Sequence, residues 1–181
     1  FYTRVEDFID VDDLGPGGMM GPTRKLRFAN HDAHLYGINL SWHAPAWESS
    51  TYGSAEFKGK FDWTRGRRND GGDLYHIMPA NLALGVEQRL HAWTHVAELK
   101  LVGAKSRVDD RRVEGETAGY ALVDLASRYR FGNGLSVQVG VRNLFDRFYA
   151  LPLGGVNLAA SPRVPLYGQG RSVDLGLALT F

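Results

Sequence analysis

Six residues of the 181-residue chain carry side chains suited to a soft metal and sit in or beside its polar stretches: Met19, Met20, His31, His34, His76 and Met78. A thioether selects Cu(I), and an imidazole accepts copper in either oxidation state. A mixed Met/His set is therefore chemistry for copper rather than for a hard cation. His76 and Met78 are two apart, which places them on one face if that segment is extended. The same residues have a plainer reading: Met beside Gly and Pro fills gaps in loops, and His31 and His76 can be ordinary hydrogen-bonding groups. His43, His91 and His95 fall toward the opposite strand ends and are poorer candidates. With no cysteine, a disulfide framework and a thiolate centre are excluded. A net charge of +1 gives no reason to expect nucleic acid as a partner. Ser, His and Asp are present without a nucleophile elbow or a grouping on one rim, so no catalytic residue is expected.

The elements that must hold these groups are strands. From Arg171 to Phe181, Val173, Leu175, Leu177, Leu179 and Phe181 alternate with small or polar residues, the period-2 pattern of a strand with one apolar face. Its length suits one tilted bilayer crossing, about 9–11 residues. The same alternation returns upstream. Ala55, Phe57, Gly59, Phe61 and Trp63 alternate with Glu56, Lys58, Lys60 and Asp62. Leu82, Leu84 and Val86 alternate with Ala83, Gly85 and Glu87, and Ala97, Leu99 and Leu101 with Glu98 and Lys100. Ala121 to Phe131 and Leu135 to Arg142 repeat it on either side of the turn Gly132-Asn133-Gly134, whose residues accept positive φ. Phe1 to Asp10 and Leu26 to His43 complete eight strands, the second of them too long for one crossing.

Connections alternate in length. Short ones fall at 44–51, 91–93 and 132–134, and long polar ones at 11–23, 65–79, 105–119 and 148–170. Transmembrane barrels sort their loops this way, whereas a soluble sandwich has no reason to. Charged residues on one strand face and apolar ones on the other suit water inside and lipid outside. Trp42, Trp47, Trp93, Phe131 and Phe181 lie near the short-turn end, and Trp63, Phe145 and Tyr149 near the long-loop end, as two interfacial girdles require. The fold class is all-β, a transmembrane antiparallel β-barrel. No run approaches the roughly 20 apolar residues of a membrane helix. The mixed charge run Asp109 to Glu116 reads as a solvated external loop, and so do Arg65, Arg67 and Arg68, whose alternative role is to attract lipopolysaccharide or an anionic chelate.

The run Asn143-Leu144-Phe145-Asp146-Arg147-Phe148-Tyr149 resembles the "NLFD-x-x-Y" signature of TonB-dependent outer-membrane receptors. Phe28-Ala29-Asn30 with Tyr36-Gly37, Tyr75 to Pro79, Gly119 to Asp124 and Gly170-Arg171-Ser172 follow in that family's order, so the resemblance covers essentially all of 1–181. It implies a barrel of ~22 strands with a plugged lumen, of which this chain supplies about the last eight, the carboxy-terminal part, without the plug domain and TonB box. The chain opens at Phe1 with no Met or signal peptide and is expected to be a piece of a longer product. The resemblance further implies a multi-pass place in the outer membrane of a Gram-negative bacterium. Its expected contacts are outer-membrane lipid and lipopolysaccharide, the TonB system through the absent amino-terminal part, and the barrel-assembly machinery, which would read Phe181. The expected function is active transport of a scarce nutrient, with no cofactor required. Tyr149 to Gly155, Tyr75 to Pro79, Gly17 to Gly21 and Phe28 to Ala33 look most like the copper-receptor branch, which makes copper the expected transported ligand. A ferric-siderophore receptor of the same architecture and a self-closed small structural barrel are the alternatives.

Overall fold

The computed structural model describes residues 1–17, 24–112, 114–157 and 164–180. Seven strands follow one another as an antiparallel meander: β1 (Tyr2–Pro16), β2 (Arg24–Ser49), β3 (Gly53–Arg68), β4 (Asn81–Leu90), β5 (Trp93–Val102), β6 (Tyr120–Arg130) and β7 (Leu135–Arg142). A two-residue pair, β8 (Val156–Asn157) with β9 (Val164–Pro165), stands apart in the next connection. The last strand, β10 (Ser172–Leu179), returns to pair with β7, giving the sheet order β1-β2-β3-β4-β5-β6-β7-β10. Asp110–Arg112 forms a single 3-10 turn between β5 and β6.

The alternation read from the sequence sets the faces. Phe57, Val86, Ala97, Leu125, Val141 and Val173 are register partners in succession across six strands, one unbroken apolar row. Val173, Leu175 and Leu177 of β10 are each at least 70% exposed, which water would penalise and lipid rewards. On the other face, Lys58 Nζ lies 2.5 Å from Glu87 Oε2, Glu87 Oε1 accepts from Arg89, and Arg142 Nε donates to Asp174 Oδ2 at 2.7 Å. These pairs line the interior side of the sheet. Few apolar residues are buried among those described, because the sheet has no second layer to pack against.

Three expected boundaries are corrected. The loop expected at 11–23 is occupied by strand as far as Pro16 and again from Arg24, because Asp12 pairs with Arg27 and Asp13 with Arg24 across the ladder. The turn expected at 44–51 shrinks to the tip beyond Ser49, since β2 carries Pro45 through a register shift between Pro45 and Trp47. The loop expected at 65–79 begins after Arg68. At ~3.3 Å per residue the 26 residues of β2 extend to roughly 85 Å, far beyond one crossing, so β1, β2 and β3 project past the bilayer. Among the described residues β1 and β10 do not pair with each other. The sheet is open, and the self-closed eight-stranded alternative is not what forms.

Candidate functional site: the outer-loop cap

The connections after β3, β5 and β7 meet at one end of the sheet, beside the projecting part of β1–β3. The middle one, 103–119, is held on both flanks. On the wall side it meets Asp10 of β1, which is fully buried. Arg112 Nη1 approaches Asp10 Oδ1 at 2.6 Å, Arg111 Nη2 approaches Oδ2 at 3.4 Å and Arg68 Nη1 of β3 approaches it at 3.7 Å. Neither Asp10 oxygen is aligned for a hydrogen bond, so the contact is one of charge without directed bonds. Asp109, 2% exposed, accepts from the backbone N–H and Nε of Arg111 and from Arg112. Arg68 also donates to Asp70 and to the Val11 carbonyl. Its hydrogen bond to Asp70, helped by its charge, outweighs partial burial and holds the Asp70 carboxyl down to about 2.

On the other flank the joint is directed. Lys105 Nζ lies 2.5 Å from Glu114 Oε1, with both side chains under 5% exposed, and donates to the Pro152 carbonyl at 3.1 Å. Glu114 accepts as well from the backbone N–H of His76 at 3.0 Å and of Asp109 at 2.9 Å. The Lys105–Glu114 pair thus ties the 69–80, 103–119 and 143–171 connections together. The solvated loop expected over 109–116 is corrected here: Asp109 and the side chain of Glu114 are withdrawn from water because their charges are matched by Arg111, Arg112 and Lys105. Arg68, expected in a solvated loop, is instead buried.

The six metal-ligand candidates are dispersed. Met19 and Met20 lie outside the described residues. His31 and His34 are three apart on β2 and so face opposite sides. His31 Nδ1 is 2.7 Å from Arg68 Nη2, whereas its Nε2, though 2.9 Å from Asp12 Oδ1, makes no aligned hydrogen bond. His34 stacks between Tyr2 and Tyr36 in the outward aromatic band and shares a 3.0 Å hydrogen bond with the Asn69 side chain. His76 has φ of 60° and stacks on Tyr75 at 4.0 Å. It borders a cavity of about 170 Å³ together with Arg112, Thr117, Leu151 and Pro165. Met78 borders a different cavity of about 160 Å³ with Trp63, Leu74 and Ile77. The shared parity expected of His76 and Met78 does not apply, because β4 begins only at Asn81 and the left-handed His76 breaks the alternation. Among the described residues no group of three or more His, Asp or Glu side chains can hold a metal ion. Phe181 also lies outside the described residues.

The Asn143–Tyr149 run closes the β7 end. Asn143 is 3% exposed at φ of 49°. Its Oδ1 accepts from the Arg147 N–H at 2.8 Å, and its Nδ2 donates to the carbonyls of Arg147 at 2.9 Å and Gln169 at 3.2 Å. Asp146, at φ of 52°, accepts from the Arg171 N–H at 2.8 Å, and the Leu144 N–H donates to the Val123 carbonyl. The Tyr149 ring lies so close over Gly168 that no Cβ fits there, and it packs on Tyr120 at 4.4 Å. Phe145 and Phe148 are left exposed. The motif is a clasp that turns the chain out of β7 and aims it back at β10.

The profile of the TonB dependent receptor-like β-barrel family matches residues 1–144, four fifths of the chain. The chain belongs to that family. Among curated proteins none matches it by sequence. Several solved receptors share its fold. A structure described as the copper transporter OprC superposes over 99% of the chain with a TM-score of 0.79 and 21% identity. The ferric-catecholate import receptor Fiu from K12 E. coli does so over 99% with a TM-score of 0.67 and 17% identity. The ferric yersiniabactin uptake receptor FyuA from Yersinia pestis covers 86% with a TM-score of 0.66 and 17% identity. This TonB-dependent receptor barrel segment spans 28%, 24% and 25% of those three chains, about a quarter of their length. In such a segment the clasp at Asn143 and the open sheet edges are features of the wall, and the tied connections are features of its mouth.

Proposed function

We propose that this chain is carboxy-terminal barrel wall of an outer-membrane receptor that binds a scarce nutrient outside and admits it when TonB acts on a plug supplied by the rest of the protein. Its outward apolar rows would meet outer-membrane lipid, with lipopolysaccharide in the outer leaflet, and its closing strand would be the element the barrel-assembly machinery engages. No bond in the cargo is made or broken, so binding and gating carry the function. The cargo we assign is copper ion. The observation that supports it is that the 69–80 connection offers an imidazole at His76 and a thioether at Met78, on two separate cavities among the outer connections, both donor types suited to copper. The structural likeness to a copper transporter agrees with that reading.

A ferric-siderophore cargo is favoured by one different observation. The Arg112 guanidinium lies 5.0 Å from the Tyr75 ring centroid and borders the His76 cavity, bringing to it a positive charge that would attract an anionic chelate. The two are separated by titrating the full receptor with Cu(I) and with a ferric catecholate. Copper cargo predicts stoichiometric Cu(I) binding that the paired substitutions His76→Ala and Met78→Ala weaken at least tenfold, with ferric catecholate binding unaffected or absent. Binding of the chelate alone, lost in Arg112→Gln, assigns the siderophore instead.

A further inference from the structure

The outward face of the sheet is not uniform. Phe61, Leu82, Leu101 and Ala121 are register partners across β3 to β6, an apolar row nearer the long connections than the Phe57 row. Just past it β4 and β6 begin and β5 ends, and the chain there is Ala80, Gly103 and Gly119. The Gly103 N–H donates to the Ala80 carbonyl at 2.8 Å, and a Cβ at Gly119 would lie 2.9 Å from the Val102 carbonyl oxygen. The backbones approach closely with no large side chain between them, and an open groove of about 750 Å³ is left on the wall. Arg147, exposed and without an ion-pair partner among the described residues, stands at its border. Asn143 holds the Arg147 N–H and carbonyl, so the backbone that presents this guanidinium is fixed. No acidic side chain borders the groove. On the same turn Phe145 and Phe148 are 75% and 72% exposed, a composition suited to a membrane interface rather than to water. An apolar floor with one unpaired guanidinium at its border matches an amphiphile with an anionic head. Arginine offers phosphate two parallel N–H donors, and acyl chains that exclude water strengthen that contact.

We infer that this groove is a binding site for one lipopolysaccharide molecule, with an acyl chain of its lipid A along the Phe61–Ala121 row and a lipid A phosphate on Arg147. The inference rests on the outer-membrane reading above, which puts the long connections, and with them Arg147, on the lipopolysaccharide side. In the test, the full receptor is purified from outer membranes, stripped of lipid in detergent and titrated with three probes. They are lipid A, its dephosphorylated form and phosphatidylglycerol, and native mass spectrometry counts the molecules bound.

The expected result is a lipid A binding event that Arg147→Gln weakens at least tenfold. The other two probes bind the unaltered receptor no better than lipid A binds that variant. Ala121→Phe fills the groove from an exposed position, weakens lipid A binding likewise, and decides the matter if Arg147→Gln fails to fold. Arg4→Gln, which removes an exposed cation of β1 outside the groove, leaves the affinity unchanged. Three results overturn the inference: an unchanged lipid A affinity in Arg147→Gln, an equal loss in Arg4→Gln, or phosphatidylglycerol bound as tightly as lipid A. Membrane fractionation is scored first. A receptor absent from the outer membrane overturns the outer-membrane reading and the site with it, whereas one present there with unchanged affinity in Arg147→Gln overturns the site alone.

Discussion

At the scale of single residues, the side chains that matter most are those whose partners are far away in the chain. Asn143 holds a left-handed turn, one backbone N–H and two carbonyls at once. Asn tolerates that conformation better than most residues, and its amide supplies both a donor and an acceptor. Asn143→Ala loses three hydrogen bonds, each worth about 0.5–1.5 kcal/mol, and adds some backbone strain. We expect it to lower the unfolding free energy of the full receptor in detergent by about 2–4 kcal/mol. Urea titration measures the shift, and a loss under about 1 kcal/mol contradicts the clasp. The run containing Asn143 is legible as a motif, yet its spacing says nothing of Gln169. The cap cluster is hidden for the same reason: Asp10 and Arg112 are a hundred positions apart, and a mixed charge run looks identical whether its charges face water or one another.

At the scale of elements, the alternation of apolar and polar residues predicts the faces of β3 to β7 and of β10, because each strand has lipid on one side and the lumen on the other. Where the strands leave the bilayer that rule lapses. β1 and β2 are paired there by Asp12 with Arg27 and Asp13 with Arg24, a composition indistinguishable from that of a loop until the register is known. Pro45 reads as a turn residue, whereas a local slip of register lets β2 continue through it. Close cross-strand packing sets a further constraint that composition does not show. Gly59 of β3 faces Trp42 of β2, and the indole occupies the space a Cβ would need. Gly59→Val must push the indole away, at about 1–3 kcal/mol for overpacking. The expected result is a receptor that still assembles, with changed Trp emission and a lower unfolding midpoint. An unaltered spectrum and midpoint count against the packing described.

At the scale of the whole molecule, β1 and β10 each have one side with no partner strand among the described residues. Edge N–H and C=O groups cannot be left in hydrocarbon, so β1 and β10 require further strands before the wall is complete. The 181 residues refolded alone in detergent are expected to run on an unheated SDS gel as they do after heating. Resistance of the isolated segment to SDS would show that it closes by itself, against the open sheet. Its topology also dictates a timetable. Every pairing from β1 to β7 joins neighbours along the chain, through turns as short as the two residues between β4 and β5, so these hairpins can zip one after another. The step from β7 to β10 must instead cross the whole 143–171 connection, and until Asn143 and Asp146 have gripped Gln169 and Arg171 the last strand has no register to find. That late arrival leaves the apolar row of β10 as the sticky end of a nascent receptor, the part most in need of a chaperone's cover while the rest of the wall is already laid.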